Sequence, residues 1–167
     1  MKTNVALLED KSNDQILKPE FEDDKGMIRV FVYGTLKRGH GNNALLNRAK
    51  AVFMGADTIT GPFRMLSLGG CPGVVDSPEN INGATTIFGE LWAGDEEMLA
   101  ALDMLEGHPR FYERKKFRTD LMDKRAWMYT LGWDWAKSSS KYNTIKEGIW
   151  HPTEAEIALW KARGVIE

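Results

Sequence analysis

Apolar positions along this chain cluster in short runs that suit strands better than helices. The run Met27-Ile28-Arg29-Val30-Phe31-Val32-Tyr33 is dense in β-branched and aromatic residues and too short for a helix, which predicts a buried strand. Strand-like runs recur at Ala51 to Thr60, Phe63 to Leu68, Thr85 to Trp92, Tyr112 to Leu121 and Ala126 to Leu131. Gly-Pro, Gly-Gly and Pro-Gly pairs separate several of them, as turns do. Helical signals are fewer. Asn42 or Asn43 is placed to cap a short helix through Ala44 to Arg48. Asp95 is placed to cap a second, in which Met98, Leu99, Leu102 and Leu105 recur at helical spacing before Gly107 and Pro109 stop it. Thr153-Glu154-Ala155-Glu156 fits a capping box for a third helix, ended by Gly164. Trp133 to His151 reads as a surface excursion. The pattern as a whole predicts a mainly antiparallel β domain with a few short helices.

Charge divides the chain into two parts. Residues 1–26 hold seven acids and four lysines with few aromatics, which predicts an acidic N-terminal arm; residues 27–167 then form a single domain. A 43% hydrophobic content over 167 residues is enough for one core. The formal net charge of −2 offers no general attraction to nucleic acid or an anionic membrane. From Arg110 to Arg125 seven bases face three acids, but alternation along a half-exposed strand explains that pattern without a polyanion. No apolar run approaches the roughly 18 residues of a membrane-spanning helix, so a cytoplasmic protein is expected. A single cysteine, Cys71, and three scattered histidines predict no metal centre. Cys71 has no base beside it in sequence and reads as a small buried thiol.

Two motifs carry candidate chemistry. Tyr33-Gly34-Thr35-Leu36-Lys37-Arg38-Gly39 ends the first strand in a glycine-bracketed turn, where backbone N–H groups can meet a ligand. Its two glycines have the spacing of a nucleotide-binding P-loop, but His40-Gly41 stands where Lys and Ser or Thr are required. Glu106 follows Leu99 by seven residues and Leu102 by four, which puts a carboxylate on the apolar stripe of its helix. Burial there and the negative end of the helix dipole both raise a carboxyl pKa, as a general acid/base requires. An ion pair with Arg114 is the structural alternative, and Asp103, one turn earlier, competes for the role.

The glycine-bracketed turn, Gly89-Glu90-Leu91-Trp92, Leu102-Asp103, Glu106-Gly107, Pro109, Tyr112, Arg114 and Ala126-Trp127-Met128-Tyr129 occur in an order that resembles the gamma-glutamylcyclotransferase-like family, nearest its gamma-glutamylamine cyclotransferase branch. The resemblance spans about residues 27–131. It implies an α+β fold, a small mixed and mainly antiparallel β-barrel with a few short helices. It also implies that Tyr33, Gly34, Thr35 and Leu36 hold a glutamyl unit, that Tyr112 lines the site, and that Glu106 moves the proton. The implied partner is a small gamma-glutamyl amide, whose own α-amine attacks its γ-carbonyl to release 5-oxoproline and an amine. Such a reaction needs neither a protein nucleophile nor a cofactor. A non-catalytic module that binds a small ligand on the same fold is the alternative.

Overall fold

The computed structural model describes residues 26–76, 83–132, 134–135 and 139–167. Apart from Gly26, the acidic arm lies outside them. The described strands are β1 (Ile28–Val32), β2 (Val52–Gly61), β3 (Phe63–Ser67), β4 (Pro72–Asp76), β5 (Thr85–Gly94), β6 (Tyr112–Arg118), β7 (Arg125–Leu131) and β8 (Asn143–Thr144). The helices are α1 (Asn43–Arg48), α2 (Glu96–Glu106) and α3 (Glu154–Ala162).

β1 sits in the middle of the sheet, which explains its continuous apolar run: a strand paired on both edges and covered on both faces has no solvent side. It pairs antiparallel with β5, Val32 opposite Glu90, and parallel with β7 at Val30 and Trp127. The sheet order is β2-β5-β1-β7-β4-β3-β8, with β6 paired antiparallel to β7. Two parallel contacts, β1 with β7 and β4 with β7, make the sheet mixed; the other pairings are antiparallel. It curls into a half-barrel.

The period-two alternation of β1 separates two cores. Val30 and Val32 join Met98 and Leu102 of α2 on one face, while Phe31 and Tyr33 join Ile59, Met65, Ile87, Leu91 and Met128 on the other. A smaller cluster of Ala56, Phe88 and Trp160 seats α3.

Several expectations require correction. β4 lies where Cys71-Pro72-Gly73 looked like a turn, with Val74 and Val75 as its only apolar pair. The strand expected to reach Leu121 stops at Arg118, because Asp57 accepts the N–H groups of Leu121 and Met122 at 2.8 and 2.9 Å and bends the chain. The excursion after Gly132 is also less superficial than expected. Within it β8 extends the sheet along β3, Ile145 N–H donates to Met65 at 2.7 Å, and Trp150 is buried. No helix among the described residues is long and apolar enough to cross a membrane.

Candidate active site

The chain leaves β1 in a series of tight turns. Lys37 N–H donates to the Gly34 carbonyl at 3.0 Å, His40 to Lys37 at 3.1 Å, and Asn42 to Thr35 at 2.9 Å. Thr35 and Leu36 donate to none of these bonds, so their N–H groups are not consumed by the turn. Gly34 is required by crowding rather than by φ: a Cβ there would lie 2.8 Å from the Pro72 ring, which the backbone cannot easily move. Asn42 and Asn43 make no side-chain cap on α1. Instead their amides bind Thr35 Oγ1 and the Leu36 carbonyl, each at 2.8 Å, and brace the turn.

α2 brings the carboxylates. Asp95 caps it, accepting Met98 N–H at 2.9 Å, and Gly107 ends it with φ of 66°. His108 N–H then returns to the Asp103 carbonyl at 2.9 Å, closing a Schellman turn. Met98 and Leu102 are buried, and Glu106 continues their line with partial burial. Leu105 departs from the expected stripe; it is 40% exposed and stands at the cavity's lip.

Asp103, not Glu106, takes Arg114. The guanidinium binds both carboxylate oxygens, at 2.7 and 3.1 Å, and Tyr129 Oη donates to Oδ1 at 2.6 Å. Burial alone would raise the Asp103 carboxyl, but the bonds from Arg114 and Tyr129 outweigh it and hold the pKa below the usual range. Glu106 receives no hydrogen bond or ion pair among the described residues. Burial pushes its pKa up to about 7.

A cavity of about 280 Å³ joins the two motifs. Tyr33, Gly34, Thr35 and Leu36 form one wall, and Glu106, Leu105, Phe111 and Tyr112 form another. Cys71, Pro72, Tyr129 and Asn42 complete much of the rest. The tyrosine hydroxyls facing this region are already engaged. Tyr33 Oη donates to the Tyr129 carbonyl at 2.7 Å and accepts Val74 N–H at 3.1 Å, crosslinking β7 and β4. Tyr112 Oη donates to the Pro72 carbonyl at 2.6 Å. Burial raises all three tyrosine pKa values, so these groups hold walls in place and stay neutral near pH 7.

All six expected site residues therefore line one cavity. The Cys71-Pro72 wall and Tyr129 also line the cavity with no sequence signal for it, because β4 carries only two apolar side chains and Tyr129 falls inside the strand run Ala126 to Leu131. Cys71 is partly exposed rather than buried, 3.7 Å from Tyr112 Oη. Among the described residues no cluster of His, Cys, Asp and Glu could hold a metal ion.

Fold and cavity together define a small α+β protein with a carboxylate-bearing pocket beside a backbone-rich turn. A sequence model of the family described as gamma-glutamyl cyclotransferase, AIG2-like, matches residues 30–152, and the chain belongs to this family. A putative gamma-glutamylcyclotransferase of Vibrio cholerae is 31% identical over 121 residues, 72% of this chain and 93% of the relative. The human gamma-glutamylaminecyclotransferase is 34% identical over 105 residues, 60% of this chain and 67% of its own length. The crystal structure of a mouse AIG2-like protein matches the fold with a TM-score of 0.62 at 24% identity, over 77% of this chain and 97% of that one.

Proposed function

We propose that the chain is a gamma-glutamylcyclotransferase that converts a gamma-glutamyl amide into 5-oxoproline and a free amine, with Glu106 as the general acid/base. The supporting observation is a carboxylate without a hydrogen-bond or ion-pair partner among the described residues, lifted by burial to about 7, in the cavity that the Tyr33 to Leu36 turn also lines. The substrate's α-amino nitrogen attacks its γ-carbonyl carbon, and a five-membered ring closes as the amide C–N bond breaks. Glu106 takes the proton released from the attacking nitrogen and returns it to the departing nitrogen. A pKa near the working pH suits both transfers.

Folding a flexible glutamyl chain into attack geometry is the other half of the task. The N–H groups of Thr35 and Leu36 supply donors for the substrate's carboxylate or developing oxyanion. Tyr112 lines the same pocket and braces it through Pro72. The relative named for gamma-glutamylamines makes such amides the first substrates to test.

The test is a panel of gamma-glutamyl dipeptides, gamma-glutamyl-ε-lysine and simple gamma-glutamylamines, assayed for 5-oxoproline. Release from at least one class is expected, with gamma-glutamylamines preferred. Binding without product would leave a ligand-binding module instead.

A further inference from the structure

The side of the turn facing away from the cavity is anchored by buried charge. Lys37 is 0% exposed, and its Nζ donates to both oxygens of Glu156, at 2.9 and 3.1 Å, and to the Trp150 carbonyl at 2.9 Å. The ammonium's three donors are thus all used. Arg38 N–H donates to Glu90 Oε1 at 3.0 Å, and its guanidinium lies 3.6 Å over the Phe53 ring. Gly39 passes so near Thr153 that a Cβ would stand 3.1 Å from its Cγ2.

Glu156 reaches Lys37 because of a departure from the expected capping box. Thr153 Oγ1 accepts Glu156 N–H at 3.1 Å, as a cap should, but the Glu156 carboxylate turns to Lys37 instead of back to Thr153. Glu156 also lies beyond residues 30–152, where the family match ends. A buried ion pair is a poor way to gain stability, since an apolar pair often serves as well or better; it fixes geometry instead. The geometry fixed here belongs to a residue adjoining Leu36 and two removed from Thr35, both on the cavity wall.

We propose that Lys37 and Glu156 are positioning residues: the C-terminal helix clamps the outer side of the turn, so that Gly34 to Leu36 already have their receptive shape before substrate arrives. The assignment of a glutamyl unit to that shape rests on the function proposed above. Without the clamp only a fraction of molecules hold the receptive turn, and apparent affinity falls by that fraction. Once substrate has ordered the turn, Glu106 works as before, so KM changes more than kcat.

The experiment compares wild type, Glu156→Gln and Lys37→Met/Glu156→Gln by thermal melting, amide hydrogen exchange and steady-state kinetics. Glu156→Gln leaves Lys37 buried without a counter-charge and should melt lower; the double variant removes both charges and should recover most of that loss. Exchange at residues 34–36 should nevertheless rise in both variants. KM should rise on the order of tenfold in the double variant, with a smaller change in kcat. Wild-type exchange and KM in the double variant would overturn the clamp and leave a pair that serves stability alone. The exchange measurement keeps the two ideas separate. Faster exchange at the turn supports the clamp even if wild type releases no 5-oxoproline, and that result would defeat the cyclotransferase reading instead.

Discussion

The inner and last turns of α2 place two carboxylates three residues apart in opposite electrical settings. Asp103 is met by a bidentate arginine and a tyrosine hydroxyl, and its pKa falls. Glu106 meets burial without compensating donors, and its pKa rises to about 7. Burial alone therefore does not decide the direction in which a carboxyl pKa moves. The difference lies in whether the surroundings supply hydrogen bonds to the charged form.

The strongest way to break this contrast is Glu106→Gln. Release of 5-oxoproline should fall by about 10²- to 10⁴-fold while the fold, followed by circular dichroism, persists. Near-normal turnover would remove Glu106 from the chemistry. Asp103→Asn should behave in the opposite way. Urea unfolding should show a loss of about 2 kcal/mol, from charge-assisted bonds and a stranded Arg114, with a much smaller effect on turnover. A kinetic defect as large as that of Glu106→Gln would make the two positions one functional unit.

The pH dependence of stability sharpens the comparison because the signs oppose. Glu106 binds its proton more tightly when folded, so its contribution is fully present below its unfolded value of 4.5 and is lost as pH rises through about 7. Asp103 contributes above its unfolded value of 3.8 and loses that contribution as pH falls through its depressed folded value. Unfolding curves from acid to pH 8 should show Glu106→Gln gaining on wild type by up to about 3 kcal/mol as pH rises. They should show Asp103→Asn gaining on wild type only toward the acid end. The smallest expected effect is that of Tyr129→Phe, which removes one donor from Asp103 and should cost about 1 kcal/mol. Its acid-unfolding midpoint should shift upward, and an unchanged midpoint would mean that Arg114 alone sets the Asp103 pKa.

The two halves of the candidate site were more legible in the sequence than their supports. Glu106 was legible because helical spacing carries it along the line of Leu99 and Leu102, and the turn was legible because glycines bracket it. The partner of Arg114 was not, since spacing along α2 cannot say which carboxylate Arg114, fifteen residues from its pairing partner Tyr129, will reach once folded. β4 was hidden because Gly73 and Pro72 leave only two apolar side chains to signal a strand whose pairing comes from β3 and β7. The role of Lys37 was hidden for a related reason. Its acceptors, Trp150 and Glu156, lie 113 and 119 residues away, a distance over which local pattern carries no information.

The chain's only cysteine lies in the cavity wall, partly open to solvent. Cys71 therefore gives the native protein an intrinsic reporter, with no residue to add or remove. A small thiol reagent should label it at one rate when the pocket is empty and more slowly when a ligand fills it. Occupancy could then be measured in Glu106→Gln, which on the proposed mechanism should hold a gamma-glutamyl amide without consuming it, and binding would be read apart from catalysis.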